Sequence, residues 1–281
     1  DVFDNDTDED VGDTLSVSAV AGASGNVGTA VAGSAGGLFT ILATGGVTFD
    51  PNGEFEGLDD GDDATTTIEY TLLAGGDTDV ATVTATVTGE ADAPVGGSQS
   101  FTTDEDTVFT RTILDTVSAA AGEIALSDLA TDVDSPLTPA SLTLASVTVD
   151  GSPTAAAAAG VSYVGATGAF TLDPTALALY QGLGAGDDAE VVATFDVADA
   201  TDPALGGTAS ITLTVDGVND APVGAPDAYA VGYETPISVT AGLGVLADDT
   251  DAEGDAFDAV LGAGPSSGSL SLNLDGSFTY T

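Results

Sequence analysis

The residues Val-Asp-Gly-Val-Asn-Asp-Ala-Pro-Val at 215–223 recur in weaker form as Thr-Gly-Glu-Ala-Asp-Ala-Pro-Val at 88–95, at an offset of 128 residues. The offset sets Gly89 opposite Gly217, Asp92 opposite Asp220 and Pro94 opposite Pro222. A segment that closes one alternating pattern and opens the next, twice, favours two to three tandem copies of one ordinary domain over a single large domain. The copies are read as 1–93, lacking its first strand or strands; 94–221, complete with insertions; and 222–281, the N-terminal part of a third. The sequence reads as a window on a longer polypeptide.

Within the copies the dominant period is two. Residues 81–88 run Ala-Thr-Val-Thr-Ala-Thr-Val-Thr, which predicts a strand with one buried and one wet face. Residues 210–215, Ser-Ile-Thr-Leu-Thr-Val, answer it in the second copy. Shorter alternating runs at 15–20, 38–42, 67–72, 142–149, 161–164 and 270–280 are separated by Gly-rich turns. Asp50-Pro51 with Phe55 and Leu58 predicts one or two helical turns at most, and Tyr180 with Leu183 repeats that spacing. The alanines at 155–159 read as a surface insertion, or as a helical turn. No helix is long enough for a parallel crossover, so the expected fold is all-β: antiparallel β-sandwiches of Ig-like type in a linear array.

The formal charge is −45, from 46 acidic residues against the single basic Arg111. Such a surface repels nucleic acid and anionic lipid and makes cations the natural partner. It also opposes compaction, which predicts stability dependent on divalent cations or salt. Cysteine is absent, so no disulfide staples the fold. No apolar run approaches the roughly 18 residues of a membrane span, and direct membrane insertion is not expected.

Calcium takes six to eight oxygen ligands, which requires closely spaced acids and amides on turning loops. Three kinds of segment qualify. The joints offer Asp216, Asn219 and Asp220, with Glu90 and Asp92 in the weaker copy, where Thr88 and Ala91 replace Asp216 and Asn219. The acid clusters early in each copy offer Asp6, Asp8 and Asp13, beside Asp4 and Asp10, in the first, and Asp249, Asp251, Glu253 and Asp255 in the third. The second-copy cluster is cut to Asp132 and Asp134 and reads more readily as a solvated turn. Asp249-x-Asp251-x-Glu253-Gly254-Asp255 imitates the opening of an EF-hand loop, but Val260 stands where the closing Glu belongs. Third, Asp104, Glu105 and Asp106 lie ten residues past Pro94, able to fold back to a joint; Glu234 keeps one acid there in the third copy, where Tyr233 replaces Glu105. The Gly-Asp-Asp turns at 61–63 and 186–188, and Asp196 and Asp199 at a strand end, read as surface.

The chain contains no His, Cys or Lys, so Ser-His, Cys-His and Schiff-base chemistry is excluded, and no enzyme is expected. Two carboxylates could hydrolyse a glycoside, but the absence of Trp removes the usual sugar platform. A glycan- or protein-binding module would rely on Tyr163, Tyr180 and Tyr233; a filament or surface-layer subunit would bury Thr-rich faces or open sheet edges between chains.

The joint Asp-Gly-Val-Asn-Asp-Ala-Pro-Val at 216–223, Phe-Asp-Pro-Asn-Gly at 49–53, Thr-Asp-Glu-Asp-Thr at 103–107 and Gly-Val-Leu-Ala-Asp-Asp-Thr-Asp-Ala-Glu-Gly-Asp at 244–255, followed by Leu-Asp-Gly-Ser-Phe-Thr-Tyr at 274–280, resemble the cadherin-like and VCBS-type repeats of large secreted bacterial adhesins of the RTX kind. The resemblance implies calcium at the joints and a stalk or extender at the bacterial cell surface. Partners would then be calcium, neighbouring repeats of the same chain, and other copies or a surface glycan or protein.

Overall fold

The computed structural model describes residues 1–10, 12–115 and 120–281 and is all-β. In the first copy the long hairpin Asp63–Ala74 and Asp77–Thr88 pairs in antiparallel register from Asp63↔Thr88 to Ala74↔Asp77, and Ser16–Val20 joins its inner strand. A second antiparallel sheet is built from Ala30–Ala32, Leu38–Ile41 and Val47–Asp50. Val17, Val20, Phe39, Ile41, Ile68 and Tyr70 are buried between the two sheets. The apolar positions of 81–87 face this core but are only half-buried, because Asp77–Thr88 is an edge strand among the described residues.

The second copy repeats the plan with more strands. A five-stranded sheet orders Ser152–Thr154, Leu142–Val149, Asp188–Ala198, Gly206–Asp216 and Ser98–Asp104. It faces a four-stranded sheet ordered Glu123–Ala125, Phe109–Leu114, Ala169–Leu172 and Val161–Val164. Alternation puts Ala209, Ile211, Leu213 and Val215 inward, all at most 2% exposed, against Ile113, Phe170 and Phe195. The Phe170 and Phe195 rings meet at 6.1 Å, and Tyr163 stands edge-on to Phe195 at 5.1 Å, arrangements that add to simple area burial.

The sheets are not wholly antiparallel. Ser98–Asp104 runs parallel to Gly206–Asp216, from Ser98↔Ser210 to Asp104↔Asp216, and Glu123–Ala125 runs parallel to Phe109–Leu114. The first of these pairings decides where the acids go. An extended strand advances about 3.3 Å per residue, so the strand after Pro94 carries Asp104 and Glu105 to the far end of the sandwich, beside Asp216, instead of folding back to the joint it left.

Two local expectations change. Residues 51–58 form successive turns closed by Glu54 N–H to Pro51 O (3.1 Å) and Leu58 N–H to Phe55 O (3.1 Å), not helix. The alanine run is a turn that enters the core: Ala159 is fully buried and its carbonyl accepts the hydroxyl of buried Tyr180 at 2.9 Å. The third copy is a single small sheet ordered Ile237–Val239, Phe278–Tyr280 and Leu270–Leu272, with Tyr229 packed on Phe278.

Candidate metal centres at the two joints

Among the described residues no ion pair between side chains forms. Arg111 spends its charge on aromatic faces instead, 4.4 Å from the Phe109 ring and 5.4 Å from that of Phe101. The buried acids therefore have no protein cation to pair with.

At the first joint Asp132, Asp134 and Asp199 converge, each offering a carboxylate oxygen within 4.8 Å of the others. Asp199, only 3% exposed, ends the strand Asp188–Ala198, which runs back from the second joint to the first. Its Oδ1 accepts the N–H groups of Asp202 (2.9 Å) and Thr201 (2.6 Å), and these donors hold its carboxyl below the usual carboxylate range. Burial pushes Asp132 up, and the adjacent Asp134 carboxyl pushes it further; the same neighbour, with the N–H of Asp92, holds Asp134 below the usual carboxylate range. The linker enters through Asp92 N–H, which donates to Asp134 Oδ2 at 2.7 Å. Asp59 of the first copy faces the same group: its carboxylate accepts the Thr201 hydroxyl at 2.8 Å and the Ser135 hydroxyl at 3.3 Å.

The second joint has the same plan with different side chains. Glu105 is completely buried; its Oε1 accepts Val218 N–H of the linker at 2.8 Å, and its backbone N–H donates to Asp216 O at 3.1 Å. Burial pushes its carboxyl up, the Val218 N–H opposes this, and Asp220, Asp106 and Glu253 push it further. Asp220 N–H donates to Glu253 Oε1 at 3.0 Å, bringing the third copy onto the linker. Each linker glycine permits a close approach. A Cβ on Gly89 would lie 2.4 Å from Asp59 O, and one on Gly217 would lie 2.4 Å from Gly184 O.

The other candidates are placed as follows. Asp249 turns to the linker exit and accepts Ala225 N–H (2.7 Å), Asp251 Oδ1 accepts Asp255 N–H (2.9 Å), and Asp255 is exposed. Asn219 is exposed, with its amide on Asp220 O at 2.7 Å, and Asp216 and Glu90 are exposed as well. Asp8 and Asp13 gather with Asp10 in a fully exposed group, whereas Asp6 leaves it to accept the Tyr70 hydroxyl at 2.6 Å. That contact helps push the Tyr70 hydroxyl, after burial, up to about 12. Asp106 is exposed beside Glu105, and Glu234 is exposed in the turn at 232–235 with a φ of 52°.

Three expectations are corrected. Asp199 is an interior group of the first joint, not strand-end surface; Asp132 and Asp134 converge with it instead of forming a solvated turn. Of the three tyrosines that could bind sugar, Tyr180 is buried and Tyr163 half-buried with its hydroxyl on Pro139 O, which leaves Tyr233 alone, 92% exposed. Asp59 was missed altogether.

Six buried side-chain oxygens lack a hydrogen-bond partner among the described residues: Oδ2 of Asp132, Oδ1 of Asp134 and Oδ2 of Asp199 at the first joint; Oδ1 of Asp104, Oε2 of Glu105 and Oε2 of Glu253 at the second. All are carboxylate oxygens at a joint. A buried, unpaired carboxylate oxygen is costly, and a hard cation with oxygen ligands removes that cost. The donor set at each joint fits calcium.

The fold is all-β, and the two linkers at 88–95 and 215–223 each gather buried acids. Residues 219–281 match the family of the bacterial cadherin-like domain, and the chain carries that domain there. Solved structures similar to the chain include mouse clustered PcdhgC3 EC1-3 (15% identity, 95% of this chain and 77% of that one, TM-score 0.39). Human CDH23 EC21-23 is another (16% identity, 96% and 78%, TM-score 0.42). No curated protein matches the chain.

Proposed function

We propose that this chain is a calcium-rigidified extender segment of a large bacterial cell-surface or secreted adhesin, divided into β-sandwich units at 1–93, 94–221 and 222–281. Its role in this reading is structural and adhesive, without catalysis. The observation that carries it is the set of six buried carboxylate oxygens without partners, three at each joint.

Calcium at a joint would be held by Asp132, Asp134, Asp199 and Asp59 at the first, and by Asp104, Glu105, Asp220, Glu253 and Asp251 at the second. The ion supplies charge neutralisation; the chain supplies ligands from both sides of the linker. With the ion bound, the acids of two adjacent units share one partner and their relative angle is fixed. Without it they repel across a linker that only a few backbone hydrogen bonds hold. Two-sided ligation, repeated along a chain, yields a stiff rod, and millimolar extracellular calcium suffices for sites with dissociation constants of about 10⁻⁴ to 10⁻³ M.

Calorimetric titration of the 281-residue chain with calcium tests the reading. Uptake in the millimolar range or tighter is expected, and Asp199→Asn should weaken the first joint about tenfold or more. A chain that takes up no calcium, or an Asp199→Asn variant that binds as the parent does, would refute it.

A further inference from the structure

One difference between the two joints is paired. On the near wall of the first joint, Asp62 N–H donates to Asp59 O (2.9 Å) and Gly89 N–H to Asp62 O (2.8 Å); at the second, Asp187 N–H donates to Gly184 O (2.9 Å) and Gly217 N–H to Asp187 O (2.9 Å). The backbones are the same, so Gly184 stands where Asp59 stands, and the carboxylate at that position is missing. On the far wall, Thr131 pairs with Val95 at the first joint as Thr250 bridges Val223 at the second. That register matches Asp132 and Asp134 with Asp251 and Glu253. Asp134 and Glu253 accept the equivalent linker N–H groups, from Asp92 and Asp220. The far-wall acid is therefore one methylene longer at the joint where the counterpart of Asp59 is absent.

The longer side chain uses that space. Glu253 Cγ lies 3.7 Å from where a Cβ on Gly184 would sit, and its Oε2 is buried without a hydrogen-bond partner. Glu105, fully buried and also with one oxygen unpaired, faces the same space from a third side. We infer that Glu253 reaches across the second joint to supply the calcium ligand that Asp59 supplies from the near wall at the first: a near-side Asp is exchanged for one extra methylene on the far side. This rests on the calcium reading above.

The test is calorimetric calcium titration of the full chain and three variants: Glu253→Asp, Gly184→Asp and the two combined. Glu253→Asp keeps the charge and shortens the reach, and is expected to weaken binding at the second joint about tenfold. Adding Gly184→Asp should restore most of that loss, since a Cβ at 184 meets nothing closer than 3.7 Å. Equal binding by Glu253→Asp and the parent, or a combined variant no better than Glu253→Asp alone, would overturn the exchange while leaving calcium at the joints intact. A parent chain that takes up no calcium would overturn both.

Discussion

Adding about 10 mM calcium to the chelated chain is expected to raise its melting temperature by about 10 °C. A site with a dissociation constant near 10⁻⁴ M, occupied at a hundredfold excess, stabilises the folded state by about 2.7 kcal/mol. A domain of roughly 100 residues gains about 4 °C or more for each kcal/mol. Sodium chloride at equal ionic strength is the necessary comparison. A chain of formal charge −45 is stabilised by screening alone, because self-repulsion falls with the Debye length. Screening does not satisfy the six buried oxygens, so salt should recover only a minor part of the shift. Magnesium, smaller and slow to dehydrate, should fall between the two. Scanning calorimetry in chelator, calcium, magnesium and matched salt measures all four; equal shifts for calcium and salt would remove the joint sites from the account.

Glu105→Gln is expected to change sign with calcium: a higher melting temperature than the parent in chelator at neutral pH, and a lower one in calcium. Glu105 is fully buried and its carboxyl is pushed up, first by burial and then by Asp220, Asp106 and Glu253. For an acid raised in the folded state, the unfolded chain releases its proton first. The folded state therefore binds more protons between the two pKa values, and stability falls as pH rises through that window. Above it the folded chain carries the full cost of a buried charge among like charges. Gln removes that cost and keeps an oxygen for Val218 N–H. In calcium the carboxylate is a ligand, and the neutral amide is the poorer one. The chelated parent should also lose stability as pH rises above the ordinary Glu range, and Glu105→Gln should flatten that slope. The same sign in chelator and calcium would mean that Glu105 is only a buried hydrogen-bond acceptor.

The period-two strands were legible in the sequence, because alternation such as 81–88 reports directly which side chains face a core. Gly89 and Gly217, which the 128-residue offset sets opposite each other, hold places where any Cβ would collide with the carbonyls of the preceding loop. What escaped were contacts made by topology. Asp199 meets Asp132 and Asp134 only because Asp188–Ala198 starts at the second joint and ends at the first, a consequence of hairpin direction that no local spacing carries. The Gly-Asp-Asp turn before that strand was a usable signal: a strand that leaves one joint must arrive at the other. Asp104 and Glu105 stood out as candidate ligands, but their destination depended on a parallel pairing that an antiparallel reading omits. Among the third-copy acids, spacing alone does not choose a pair, since Asp-x-Asp occurs at 249–251, whereas the bridge between Val223 and Thr250 makes Asp251 and Glu253 the equivalents of Asp132 and Asp134. Fine register in an acid-rich loop is set by the neighbouring ladder, which sequence spacing does not reveal.

Because the chain has no cysteine, Glu190→Cys and Ser271→Cys provide the only attachment sites for a pair of spin labels, both at exposed positions and on opposite sides of the second joint. Pulsed dipolar spectroscopy then reads the distance distribution between two units directly. The account predicts one narrow distribution in calcium that broadens in chelator and narrows again when calcium is restored. A distribution of the same width in both conditions, narrow or broad, would contradict it.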